Sequence, residues 1–141
     1  MFMLSVIIPV FNEKNTILKI IEKIENLKNI DKEIIIVDDF SNDGTKEILK
    51  NLSNSNYKIF FHEKNLGKGA AIRTAKKHIS GNIVIIQDAD LEYDPNDYKK
   101  LIEPILSNEY KVVYGSRVLG KNRYFVNNFS SVYRIFFNHL L

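Results

Sequence analysis

Apolar residues fall along this chain in two kinds of run. Continuous Ile- and Val-rich stretches occur at Leu4–Val10 (LSVIIPV), Lys32–Asp38 (KEIIIVD), 57–62, 82–87 (NIVIIQ) and 111–116. Runs of this length and composition predict strands covered on both faces. Between them the spacing becomes helical. Ile17, Ile20, Ile21, Ile24 and Leu27 mark a helix opened by Asn15 or Thr16. Ser41-Asn42-Asp43-Gly44 is turn chemistry, and Thr45 opens a second helix through about Leu52. A glycine-flanked loop, Asn65-Leu66-Gly67-Lys68-Gly69, leads into a helix over 70–79 that Gly81 ends. Pro95-Asn96 then starts a helix reaching about Leu106 and kinked at Pro104.

Strands alternating with helices predict an α/β fold, a mainly parallel, Rossmann-like sheet flanked by helices. One such domain accounts for residues 1–117. The remainder, 118–141, has a different pattern: Phe125, Phe129, Val132, Phe136 and Leu140 form a helical stripe. It either packs on this domain or a continuation of it, or lies in a membrane interface.

Composition narrows the class. The 141 residues are 45% hydrophobic and 26% charged, as in an ordinary soluble domain. With no cysteine, disulfides, thiolate metal sites and a catalytic thiol are excluded. The first residues carry no charged leader, and no apolar run approaches the roughly 20 residues of a membrane span. A cytoplasmic location is expected, with peripheral attachment to the inner face of a membrane as an extension of it. Five of the 20 basic side chains but none of the 17 acidic ones follow Glu109, so residues 1–109 carry 15 against 17. That basic end is either solvated or faces an anionic partner, a pyrophosphate or a phospholipid surface. No nucleic-acid motif is present, and nucleic acid is not expected as a partner.

In an open parallel sheet, ligands bind beyond the carboxyl ends of the strands. Four predicted strand ends deliver polar groups there: Pro9-Val10-Phe11-Asn12-Glu13, Asp38-Asp39, Gln87-Asp88-Ala89-Asp90 and Gly115-Ser116-Arg117. Asp88 and Asp90, two apart at a strand end, point the same way and repel unless a cation lies between them. Mg²⁺ or Mn²⁺ is commonly held by one or two carboxylates plus substrate phosphates. The competing reading is a turn cap and a solvated acid. Asp38 and Asp39 fit nucleoside recognition, a second metal pair, or the turn before Gly44. Glu13 fits a ribose acceptor or a first-turn helix carboxylate. Lys68 and the amides around it make an anion site or a plain helix entry, and Arg117 is placed for a pyrophosphate oxygen or for solvent. His62, His78 and His139 are scattered, form no ligand set and are read as structural or solvated.

With these motifs in hand, the chain resembles a family 2 glycosyltransferase of the GT-A fold. The matching blocks are SVIIPVFNE (5–13), IIIVDDFSNDGT (34–45), EKNLGKGAAIRTA (63–75), GNIVIIQDADLEYDP (81–95) and VVYGSR (112–117). QDADLEYDP is most similar to the branch containing dolichyl- and polyprenyl-phosphate sugar synthases. The resemblance implies a UDP- or GDP-sugar donor, a divalent metal and inversion at the anomeric carbon. It implies that Pro9, Val10, Phe11, Asn12, Glu13 and Asp38 line the nucleoside site. Asp88 would lie near ribose and metal, Asp90 would ligate the metal, Gln87 would support the metal loop, and Arg117 would face the phosphates. Phe40 departs from the pattern, since many relatives carry a small residue there. Relatives also continue past Leu141 with an acceptor-side segment, of which 118–141 would be the start.

Under this resemblance the expected activity is metal-assisted transfer of a sugar to an acceptor such as polyprenyl phosphate. A phosphate acceptor is already ionised and needs no general base, whereas a hydroxyl acceptor does. The competing reading is a donor-binding module that lacks the acceptor site and does not turn over. A homo-oligomer is compatible with either.

Overall fold

The computed structural model of the chain describes residues 2–52 and 56–115. The chain divides into two compact units, Met1–Glu103 and Pro104–Leu141. In the first unit, strands β1 (Leu4–Val10), β2 (Lys32–Asp38), β3 (Tyr57–Phe61) and β4 (Ile83–Ile86) form one parallel sheet in the order β3-β2-β1-β4. Helices α1 (Ile17–Glu25), α2 (Thr45–Lys50) and α3 (Lys68–Lys76) make the crossovers between strands. A 3-10 turn at Pro95–Asp97 precedes α4 (Tyr98–Leu106), within which Pro104 falls. The predicted α/β class and parallel sheet are as expected.

Every residue of β1 is buried, and β2 is buried from Glu33 onward. Since side chains alternate along a strand, burial at every position requires cover on both faces. On one face Ala71 and Ala75 of α3, one helical turn apart, approach Ile7, Ile35 and Val37 closely because their side chains are small. In α1, Ile17, Ile20, Ile21 and Ile24 are buried, as the helical spacing required. Burying each of these isoleucines contributes about 2 kcal/mol.

Cover fails at β4. Val84 is 42% exposed and Ile86 50%, while Ile83 is buried. Both pair with Ser5 and Ile7 of β1, so they share the face on which α3 lies over β1 and β2. Among the described residues, the expectation of a sheet covered on both faces therefore holds for its centre and not for this strand. The expected fifth strand is a second correction: residues 111–115 are irregular, and Val112 and Tyr114 are 62% and 74% exposed. A strand forms where burial and ladder bonds offset its ordering, and all but Val113 of these side chains stay exposed.

Gly81 is a third correction. Helix α3 ends at Lys76, before Gly81. What Gly81 provides is space: a Cβ there would stand 2.5 Å from the Met3 carbonyl and 2.7 Å from the Ser5 hydroxyl. That close approach lets its amide reach Ser5 Oγ (2.9 Å) and Glu33 Oε1 (3.2 Å).

Glu33 gathers the amino-terminal edge of the sheet. Its carboxylate accepts from the Ser5 hydroxyl at 2.5 Å, the Ser80 amide at 2.6 Å and Gly81, and pairs with Lys58 at 2.7 Å. Burial alone would raise its pKa, but Lys58, Ser5 and the two amides outweigh burial and hold it down, from 4.5 to about 2. A carboxyl depressed on folding stabilises the native state above its unfolded pKa and loses that contribution as pH falls through the folded one. The contribution, on the order of 3 kcal/mol, should therefore decay between about pH 4.5 and pH 2. Glu33→Gln is expected to lower stability near neutrality and to flatten this acid limb, measured by urea unfolding from pH 7 to pH 2.

Candidate functional site

The β1–β4 ladder stops short of the end of β1. Its last bond runs from the Gln87 amide to the Ile7 carbonyl at 2.9 Å, while β1 continues along β2 to the pair Val10–Asp38. Residue 9 faces the same neighbour as residue 7, so its missing donor falls where β4 has already left, and proline is tolerated in a central strand. The strand order also reverses between β1 and β4, the usual place for a ligand crevice in such sheets. An open cleft of about 220 Å³ lies there, lined by Pro9, Val10, Phe11, Glu13, Asp39, Lys68, Asp88, Ala89 and Asp90.

The expected rim residues divide into those that line this cleft and those that build it. Asn12, at φ 58°, is a fastener. Its amide donates to Ser41 Oγ (2.9 Å), and its side-chain oxygen accepts from the Asn42 amide (2.9 Å), joining the loops after β1 and β2. Glu13 lines the cleft, but it is not the first-turn helix carboxylate of the second reading: it precedes α1, whose first turn holds no acidic residue, and its carboxylate accepts the Thr16 hydroxyl. Asp38 is fully buried and is not among the lining residues. One oxygen accepts from the Ser41 amide at 3.2 Å, and the other is the buried side-chain atom without a partner among the described residues.

Asp39 lines the cleft, yet its oxygens are heavily engaged. They accept from the amides of Leu66 (2.9 Å) and Gly67 (2.7 Å) and meet the His62 ring at 2.7 Å. Burial pushes this carboxyl up, but the Leu66 amide, His62 and the Gly67 amide together hold it below the ordinary carboxylate range. Asp39 thus fixes the glycine loop that begins α3. The helix starts two residues earlier than the sequence predicted, at Lys68, with Gly67 at φ 84°. Lys68 reaches across the cleft to Asp88, with Nζ 2.5 Å from Oδ1.

Asp88 and Asp90 both line the cleft, as the paired-acid argument requires. Asp90 Oδ1 also accepts the Glu92 amide at 3.0 Å, so the turn-cap reading holds for one of its oxygens. Gln87 belongs to the support instead. It is 2% exposed, its amide nitrogen donates to the carbonyls of Asp88 (3.0 Å) and Tyr93 (3.2 Å), and its oxygen accepts from the Tyr98 hydroxyl (2.8 Å). Burial pushes the Tyr98 phenol upward, so it stays a donor. Gln87 thereby braces the Asp88–Tyr93 loop and is turned away from the cleft. Arg117 and Ser116 lie outside the described residues.

Two contributors escaped the sequence reading. His62, read only as structural or solvated, contacts Asp39, and Thr74 contacts His62. The signal was the parallel register, which pairs Phe61 with Asp38 and so sets His62 beside Asp39.

Among the described residues, no three His, Cys, Asp or Glu side chains gather as a metal cage. Two hard oxygen donors at an open cleft do fit Mg²⁺ or Mn²⁺ completed by water and phosphate.

Comparison with known proteins agrees with this architecture. The sequence profile of glycosyl transferase family 2 matches residues 5–139, and the chain belongs to that family. A dolichol-phosphate mannosyltransferase of Pyrococcus furiosus is 38% identical over 116 residues, 80% of this chain and 32% of that protein. A mannosyltransferase of Pyrobaculum calidifontis, solved with GDP-Man and Mn²⁺, superimposes with TM-score 0.58 and 29% identity, over 62% of this chain and 27% of that one. Glucosyl-3-phosphoglycerate synthase of Mycobacterium tuberculosis, solved with Mn²⁺, UDP and glucosyl-3-phosphoglycerate, gives 0.61 and 28%, over 75% and 40%. The fold is that of the GT-A glycosyltransferases. The chain spans about a third to a half of the curated relatives it matches.

Tyr98→Phe should leave the buried Gln87 oxygen without its donor. A loss of about 1–3 kcal/mol is expected in chemical denaturation.

Proposed function

We propose that this chain carries the donor site of a glycosyltransferase that moves a sugar from a nucleoside diphosphate to an acceptor, with polyprenyl phosphate the favoured acceptor class. The observation that carries the reading is the convergence of Asp88, Asp90 and Lys68 on one open cleft at the reversal of strand order. Mixed charge of this kind suits a diphosphate with its cation. A divalent ion held by Asp88 and Asp90 would supply Lewis-acid stabilisation of a leaving diphosphate.

The chain's own residues account for the rest. Lys68 neutralises Asp88 in the free protein and is placed to turn to a donor phosphate. Asp38, buried and away from the cleft lining, serves this reading as support: its carboxylate accepts the Ser41 amide and holds the loop after β2. Pro9, Val10 and Phe11 offer an apolar wall, and Phe11 is exposed for contact. Glu13 retains acceptor capacity for a ribose hydroxyl. Arg117, as a second charge toward the phosphates, belongs to this reading on sequence grounds alone.

Polyprenyl phosphate is favoured because the Pyrococcus relative is a dolichol-phosphate enzyme, and an ionised acceptor needs no base from this chain. Inversion by direct displacement follows from the same family reading. An acceptor of this kind is met at a membrane surface; among the described residues no helix is long and apolar enough to cross one. The Phe stripe of 125–140, which would make that contact, lies outside the described residues. The second, alternative reading is donor binding without transfer.

The direct test is calorimetry with UDP- and GDP-sugars, with and without Mn²⁺. Wild type should bind one of them in a Mn²⁺-dependent way, and Asp90→Asn should weaken that binding about tenfold or more. Equal affinity in the variant would remove Asp90 from the site. Binding without transfer to polyprenyl phosphate would favour the second reading.

A further inference from the structure

Asp39, on the cleft wall, leads into a linear polar chain of three side chains, Asp39–His62–Thr74, whose other two members are not among the lining residues. The His62 ring meets Asp39 Oδ1 through Nδ1 at 2.7 Å and Thr74 Oγ through Nε2 at 2.9 Å. Its backbone amide donates to the Asp38 carbonyl at 2.9 Å, extending the β2–β3 ladder by one residue. The ring is 9% exposed and the Asp39 side chain 4%. His78, by contrast, stacks on Phe60 with ring centres 3.9 Å apart, an ordinary packing contact.

The geometry points to His62 as a positioning residue for the donor site: it locks the Asp39 carboxylate so that the Leu66 and Gly67 amides, and with them Lys68, stay in register with Asp88. The inference rests on the donor-site reading given above.

Three observations support it. Helix α3 has no side-chain cap of its own at Gly67. The Leu66 amide donates instead to Asp39 on the neighbouring strand end, and the Gly67 amide to Asp39 at 2.7 Å with a longer contact to Asn65 Oδ1 at 3.2 Å. The same helix is then tied a second time, seven residues on, where Thr74 meets the far side of the His62 ring. Two ties about two turns apart fix both the position and the rotation of a helix. Lys68, the first residue of that helix, lies just after the first tie and ion-pairs with Asp88 across the cleft.

The pairing also fixes the tautomer. A carboxylate accepts only, so Nδ1 carries the proton toward Asp39, and in the neutral ring Nε2 accepts from the Thr74 hydroxyl. This is the arrangement by which a second group orients the one that does the work.

The test uses the full chain and the variants His62→Ala, His62→Asn and Lys68→Met. Asparagine keeps a short N–H donor toward Asp39 and serves as the conservative rescue. Amide hydrogen exchange in the nucleotide-free protein should show Leu66 and Gly67 protected in wild type, exchanging about tenfold to a hundredfold faster in His62→Ala, and largely restored in His62→Asn. Affinity for UDP and GDP with Mn²⁺ should fall about tenfold in His62→Ala, and less than additively once Lys68→Met is present. A ring ¹⁵N spectrum should show the Nδ1–H form. Unchanged exchange at Leu66 and Gly67 would overturn the inference, as would full additivity with Lys68→Met. A wild type that binds neither nucleotide would remove the donor-site reading, and the exchange measurement would still decide the part His62 plays.

Discussion

The early end of the β1–β4 ladder is the constraint on which the cleft depends. After the bond from Gln87 to Ile7, the two chains separate, and β1 continues with β2 alone. The separation opens a gap at the point where strand order reverses, and it turns the residues just after β4 into cleft walls. Pro9 is compatible with this geometry because its position needs no donor on that side. Gln87 then holds the departing loop in shape from the inside, through the carbonyls of Asp88 and Tyr93 and the hydroxyl of Tyr98. The placement of the two acids follows from backbone pairing and one buried amide.

A division of labour between adjacent carboxylates runs through the site. Asp38 and Asp39 are neighbours, yet one is buried with an oxygen that has no partner among the described residues, and the other accepts two amides and meets the His62 ring. Asp88 and Asp90 differ again: one is ion-paired to Lys68 and the other half-committed to a turn. Residue type alone does not separate these roles. Burial, strand register and the donors within reach do, because a carboxylate's function is set by which of its lone pairs the fold leaves open.

The fold was legible because its signal is redundant. LSVIIPV and KEIIIVD are short and rich in β-branched residues, as interior strands are, and the Ile17–Ile24 spacing fits a helix. The candidate cleft was legible for a related reason: parallel strands bring all their carboxyl ends to one rim, so reading those ends found Pro9, Phe11, Asp39, Asp88 and Asp90 together. The rest depends on pairings that sequence does not print. His62 became visible only once Phe61 was paired with Asp38. Nothing in the sequence singled out Glu33, and tertiary contacts make it the anchor of the opposite edge. Gly81 resembled a helix stop, and its reason is that a Cβ there would stand 2.5 Å from the carbonyl of Met3, far away in sequence and just before β1. Residues 111–115 carried a strand's composition without gaining the burial that makes a strand.

The most direct test of the central proposition, that a divalent ion settles between Asp88 and Asp90, is paramagnetic broadening of the ¹H–¹⁵N spectrum. Mn²⁺ is added in small steps to protein saturated with UDP or GDP. The account predicts that the amides of Asp88, Ala89, Asp90 and Phe11 vanish first, at lower Mn²⁺ than in the absence of nucleotide. Early loss of signals at another acidic cluster, such as that around Asp97, with the Asp88–Asp90 amides untouched, would contradict it.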